Sequence, residues 1–130
     1  MNHKELKVWQ NGIELVSLIY TFTENLPKSE EFGLKTQLRR AAVSVPTNIA
    51  EGAARNHQKE FIQFCYISLG SLVEIETLLI ITENVFKHRN DQISEALVTQ
   101  KKMLLAFIKH LKQSHHSLKN HSLLTKKPTN

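Results

Sequence analysis

The run Gln37 to Arg55, QLRRAAVSVPTNIAEGAAR, constrains the fold more than any other stretch. With Leu34 just before it, the apolar residues Leu38, Ala41, Val45 and Ile49 recur at spacings of three and four, the repeat of one buried helix face. That repeat passes straight through Pro46. A proline inside a helix costs on the order of 3 kcal/mol, so a helix that keeps its period across one must be held by packing. The expectation is one kinked helix over about residues 30–54, with Ser44 and Thr47 bonding carbonyls freed by the proline. At 100° per residue the same helix carries two further rows. Gln37, Arg40, Ser44, Asn48, Glu51 and Arg55 form a polar edge, read either as a solvated face with a Glu51–Arg55 pair or as bonds to another helix or subunit. Val43, Thr47, Ala50 and Ala54 form a row of small residues opposite the core. It allows close approach by another helix, or it reflects only alanine's helix preference.

Three more helices follow from periodicity. The first runs over about residues 4–25, with Leu6, Trp9, Ile13, Val16 and Tyr20 as its buried face and Val8, Leu15, Ile19 and Phe22 widening it. Leu26-Pro27 ends it, and Ser29 is placed to cap the second helix. The third, about residues 58–87, is apolar nearly all round. An arc that wide implies burial on two sides, against its own bundle and against another chain. The fourth, about residues 92–117, is capped by Asn90 or Asp91 and buries Ile93, Leu97, Leu104, Phe107, Ile108, Leu111 and Leu118. Short connections force antiparallel neighbours. The expected fold is all-α, an up-down-up-down antiparallel four-helix bundle over residues 1–118. Residues 119–130 are expected to be a polar, basic, fraying tail.

Charge narrows the function classes. The net charge of +5 is uneven: −1 over residues 1–25, +2 over 26–60, −3 over 61–86 and +7 over 87–130. On the fourth helix Lys101, Lys102, Lys109, Lys112 and Lys119 fall within about a 100° arc, interleaved with Val98, Leu105 and His116. Such a strip can follow a phosphate backbone with salt-dependent affinity, and simple solvated lysines explain it equally well. Without aromatic interleaving, binding to RNA or DNA would rest on charge and shape. The seven histidines have no metal-ligand spacing, and no phosphate loop or nucleophile motif appears. No enzyme, metal, cofactor or small-molecule substrate is expected. The single Cys65 suits a reducing cytoplasm. No secretory signal is visible, and the charge-free apolar stretch Phe61–Val73 is too short to span a bilayer.

The same residues resemble a known family. QLRRAAVSVPTNIAEGAAR looks like the signature of the four-helix-bundle family named after the protein encoded in intervening sequences of bacterial 23S rRNA genes. LKVWQ at Leu6–Gln10, Tyr20, Pro27, FGL at Phe32–Leu34, KEFIQF at Lys59–Phe64 and GSLVEIET at Gly70–Thr77 extend the likeness over about residues 5–87. Asn56-His57 and Cys65 depart from the usual pattern without threatening the fold. The resemblance implies left-handed up-and-down bundles that assemble as homopentamers, with no known enzymatic activity and a poorly defined role. Similarity to the basic pentameric accessory protein of diversity-generating retroelements suggests nucleic-acid binding. It also marks Arg40, Ser44, Pro46, Asn48, Glu51, Gly52 and Arg55 as motif and interface candidates. The competing expectation is a structural or scaffold oligomer that engages protein partners and no nucleic acid.

Overall fold

The computed structural model describes residues 2–125, with side-chain surroundings described through residue 116. A 3-10 turn, His3–Glu5, leads into α1 (Lys7–Thr23); α2 (Leu34–Ala53), α3 (Gln58–Phe86) and α4 (Asp91–Thr125) follow. Each helix packs on its neighbours in chain order, α4 closes against α1, and the diagonal pairs stay apart among the described residues. This is the up-down-up-down bundle expected from short connections. α4 runs to Thr125, past the Ser117 limit that periodicity suggested.

The helices end where local chemistry dictates. α1 gives way to Leu26-Pro27, and a second 3-10 turn, Lys28–Glu30, precedes α2. Ser29 does not cap α2: the helix starts at Gly33, and the Glu30 carboxylate accepts the Leu34 N–H at 3.0 Å. This is the anion-at-N-terminus arrangement, supplied by the acid four residues upstream. Lys87 ends α3 in the left-handed region at φ 55°. Asn90 caps α4, its side-chain oxygen accepting the Ile93 N–H at 3.0 Å.

The α1 stripe is rotated from the sequence expectation. Val8, Leu15, Ile19 and Phe22 are buried, whereas Ile13 and Tyr20 are 42% and 40% exposed. Two apolar rows lie side by side on α1. The row facing the core also holds Gly12 and Thr23, which hydropathy alone passes over. Gly12 permits a close approach: a Cβ there would lie 3.3 Å from the Pro46 Cβ and 3.4 Å from the Gln100 side-chain nitrogen.

α2 remains one helix across Pro46, whose ring is buried. The proline removes the N–H that would bond the Ala42 carbonyl. Ser44 donates to the Ala41 carbonyl at 3.0 Å and Thr47 to the Val43 carbonyl at 2.7 Å. The two hydroxyls therefore serve the carbonyls flanking the freed one, not the freed one itself. What holds the helix is contact with its neighbours: Gly12 of α1 lets the ring in, and α3 lies close on the other side. Ser68 donates to the Val45 carbonyl at 2.9 Å, and Ser44 shares a short hydrogen bond with Ser71.

At the lower end of this contact Gly52 is buried, and an added Cβ would stand 2.8 Å from the Phe64 Cβ and 3.2 Å from the Phe61 carbonyl oxygen. Those atoms belong to the α3 backbone or are tied to it, so they cannot swing away. Gly52→Ala gains up to about 1 kcal/mol of helix propensity but forces two backbones apart, an overpacking cost of about 1–3 kcal/mol. The clash is expected to win. Thermal unfolding followed by circular dichroism should show a lower Tm for this variant; an unchanged or higher Tm would contradict so close an approach.

Candidate functional site

The signature residues of α2 divide between two tasks. Ser44, Pro46 and Gly52 are packing residues, spent on α1 and α3 as described. Asn48 is half-buried, and its amide donates to the Ser44 carbonyl of its own helix at 2.8 Å. Arg55 lies over the Phe64 ring, 4.9 Å from its centroid, a cation–π contact. It makes no ion pair with Glu51 among the described residues. Arg40 and Glu51 are exposed and line an open trough on the outside of α2 with Tyr20, Val43 and Thr47. The polar edge thus turns inward in its middle and outward at its ends.

Arg39, between these rows, clamps α1 to α2. Its guanidinium donates to the Thr23 hydroxyl at 2.8 Å, the Tyr20 carbonyl at 3.1 Å and the Glu24 carboxylate at 2.7 Å, and it stacks over Tyr20 at 4.3 Å. The hydrogen bond from Arg39, with the charges of Lys35 and Arg39 behind it, holds the Glu24 carboxyl below its ordinary value.

The α4 lysines do not form one free strip. Lys101 is half-buried and paired with Glu76 of α3 at 2.9 Å. Lys112 bonds the Tyr66 hydroxyl and lies 4.9 Å from that ring's centre. Lys102 and Lys109 are exposed on the outward side. The Lys119 side chain lies outside the described residues. What the fold gathers instead is charge at one end of the bundle. There the start of α1, the end of α2, the start of α3 and the later turns of α4 meet. They bring Lys4, Lys7, Arg55, Lys59, Lys109 and Lys112 against the acids Glu5, Glu51 and Glu60. His3, His57, His110, His115 and His116 lie at the same end, and His57, Lys59 and His115 share one open pocket. At the opposite end the acids Glu24, Glu30, Glu31, Glu83, Asp91 and Glu95 are matched by the bases Lys28, Lys35, Arg39, Arg40, Lys87 and Arg89. No cluster of three or more His, Cys, Asp or Glu side chains that could hold a metal ion occurs among the described residues.

The family signature now has a structural meaning, and the profile of the 23S rRNA-intervening sequence protein family matches residues 4–109. The chain belongs to that family. The match extends through about the first half of α4, beyond the motifs quoted over residues 5–87. No curated protein matches the chain.

Much of this family member's surface is apolar. Tyr66, Ile67, Val73, Ile80, Ile81 and Val85 of α3 and Val98 and Leu105 of α4 are each 40–62% exposed. Tyr66, Val73 and Ile80 are spaced by seven, as are Val98, Leu105 and Lys112, so the two antiparallel helices present one continuous seam. α3 is also long and apolar enough to cross a membrane by length and composition, and 33% of its most apolar window is buried in the bundle.

Two core features were missed by hydropathy. Gln100 is 1% exposed, donates to the Val8 carbonyl at 2.7 Å and leaves its side-chain oxygen without a partner among the described residues. The signal was present: Gln100 falls on the three-and-four repeat between Leu97 and Leu104. Its counterpart across the interface is Gly12.

Cys65 faces the core, and burial pushes its thiol up to about 12. The reactive thiolate is therefore nearly absent near neutral pH. A thiol reagent at pH 8 should label the folded protein only at its unfolding rate; labelling at the speed of a free cysteine would contradict this burial.

Proposed function

We propose that the protein is a non-enzymatic, cytoplasmic homo-oligomer that binds RNA or another structured nucleic acid by charge and shape. The observation that carries this reading is the segregation of charge along the bundle axis. Four separate chain segments deliver bases and histidines to one end, while acids and bases are equal in number at the other. A potential of one sign over one end steers a polyanion toward it and releases counterions when phosphates bind. Among the described residues the exposed aromatic ring at that end, Tyr66, is engaged by Lys112 and no row of rings is offered to exposed bases, so sequence-independent binding to folded or duplex regions fits best. The oligomer is supported by the exposed apolar seam of α3 and α4, which is larger than scattered surface aliphatics. The resemblance puts the number of copies at five.

Fluorescence anisotropy with an RNA hairpin, repeated across salt concentrations, tests the reading. Affinity should fall linearly on a log–log plot as salt rises. Replacing Lys4, Lys59 and Lys109 together by Glu should weaken binding uniformly across sequences and reduce the salt slope by about three, roughly one per lysine, with helicity unchanged. Lys101 is left in place because removing it would strand Glu76. Absence of binding at low salt, or affinity indifferent to the triple substitution, would defeat the nucleic-acid reading and leave the scaffold oligomer.

A further inference from the structure

Phe32 is 93% exposed, more than any other large apolar side chain described. It stands in a tightly bonded turn. The Gly33 N–H reaches the Glu30 carbonyl at 3.1 Å, the Glu30 carboxylate caps α2, and the Thr36 hydroxyl donates to the Glu31 carbonyl at 2.6 Å. A single exposed apolar residue means little by itself. Here a hole of matching size lies at the same end of the bundle. Between α3 and α4, next to their connection, a pocket of about 160 Å³ is lined by the apolar Phe22, Leu79, Ile80, Leu97 and Val98 together with polar and charged residues that include Glu83 and Arg89. A cavity of about 150 Å³ is enough for a benzene ring. Phe32 of the same chain is not in it.

The surfaces that run away from knob and hole also correspond. On α2, Val43 lies nine residues below Leu34, about 14 Å along the axis. It is 42% exposed and shares an open trough with Tyr20 of α1. On α3, Gly70 lies ten residues below Ile80, about 15 Å along the axis. A Cβ added at Gly70 would meet nothing within 4 Å. A mid-helix glycine with open space beside it has no packing reason within the chain. It has one if a second backbone comes close. Within the chain Glu76 pairs with Lys101, Glu83 with Arg89, Lys35 with Glu31 and Arg39 with Glu24, which leaves Glu74 of α3 and Arg40 of α2 as exposed charges of opposite sign on the two faces.

We propose that Phe32 of one copy inserts into the α3–α4 pocket of a second copy, joining copies head to tail through unlike faces. This rests on the homo-oligomer reading above and specifies its contact. A heterologous interface of this kind either closes into a ring or extends as a filament. An aromatic side chain in a desolvated pocket is the usual anchor of such a contact.

Phe32 makes little contact within its own chain, so Phe32→Ala should leave helicity and the Tm of the dissociated chain unchanged. Light scattering across a dilution series should show it dissociating at a concentration at least about tenfold higher than the native chain, a shift of 1.4 kcal/mol or more. Ser94→Trp, which fills the pocket from the other side, should do the same. As a positive test, Phe32→Cys protein mixed with Ser94→Cys protein should form a disulfide between one chain of each kind on oxidation, and neither variant should cross-link alone. Cys65 is buried and takes no part. If the native chain is monomeric at micromolar concentration, the homo-oligomer reading falls and this contact falls with it. If the native chain is oligomeric but Phe32→Ala dissociates at the same concentration, or Phe32→Cys cross-links only to itself, the oligomer stands and the proposed contact is overturned.

Discussion

The close approach of α2 and α3 is the constraint on which the rest of the bundle depends. It runs from the Ser44–Ser71 hydrogen bond, past the Ser68 bond to the Val45 carbonyl, to the glycine contact of Gly52 with Phe61 and Phe64. Small and hydroxylic side chains bring two backbones together, and the buried hydroxyls find backbone or hydroxyl partners, as buried polar groups must. The same approach explains how α2 tolerates Pro46. The cost of an interior proline is offset by burying its ring against Gly12 of α1 while Ser68 of α3 holds the Val45 carbonyl. α1 and α4 then complete the square, with Gln100 reaching from α4 to the Val8 carbonyl.

Placement of the outer surface follows from this inner contact. Because α3 meets α2 along a narrow face of serines and aromatics, its remaining apolar circumference has to point away. α4 covers only part of it, leaving the seam through Tyr66, Val73 and Ile80. Antiparallel connectivity also sorts charge. Segments far apart in sequence, such as Lys4 and Lys109, reach one end, and Glu30 and Asp91 reach the other. The basic character that the sequence assigns to its last third is shared by all four helices in space.

Helix number, order and topology could be read from the sequence, because apolar periodicity over long segments reports burial directly. The core face of α4 was legible for the same reason. The α1 face was not, because Trp9, Ile13 and Tyr20 form a second apolar row beside the true one, and periodicity cannot choose between adjacent rows. Gly12, Thr23, Ser68 and Gln100 were missed because their burial depends on a neighbour's shape and hydrogen bonds, which no hydropathy pattern carries. The candidate site was legible in part. Gly52 and Pro46 were marked by the signature, but their use in packing needed α3 and α1. The wheel groups the α4 lysines on one arc, yet Lys101 and Lys112 are tied to Glu76 and Tyr66, which a wheel of one helix cannot show.

If the α2–α3 contact is the part on which the fold rests, it should be the last to open. Native-state hydrogen exchange resolved by residue tests this directly. Amides of α2 from Ile49 to Gly52 and of α3 from Cys65 to Leu72 should exchange only through global unfolding, with free energies at the ceiling for the protein and above those of α1 and α4. Exchange of the α2 amides beside Pro46 through local opening, as fast as or faster than those of α4, would contradict the account.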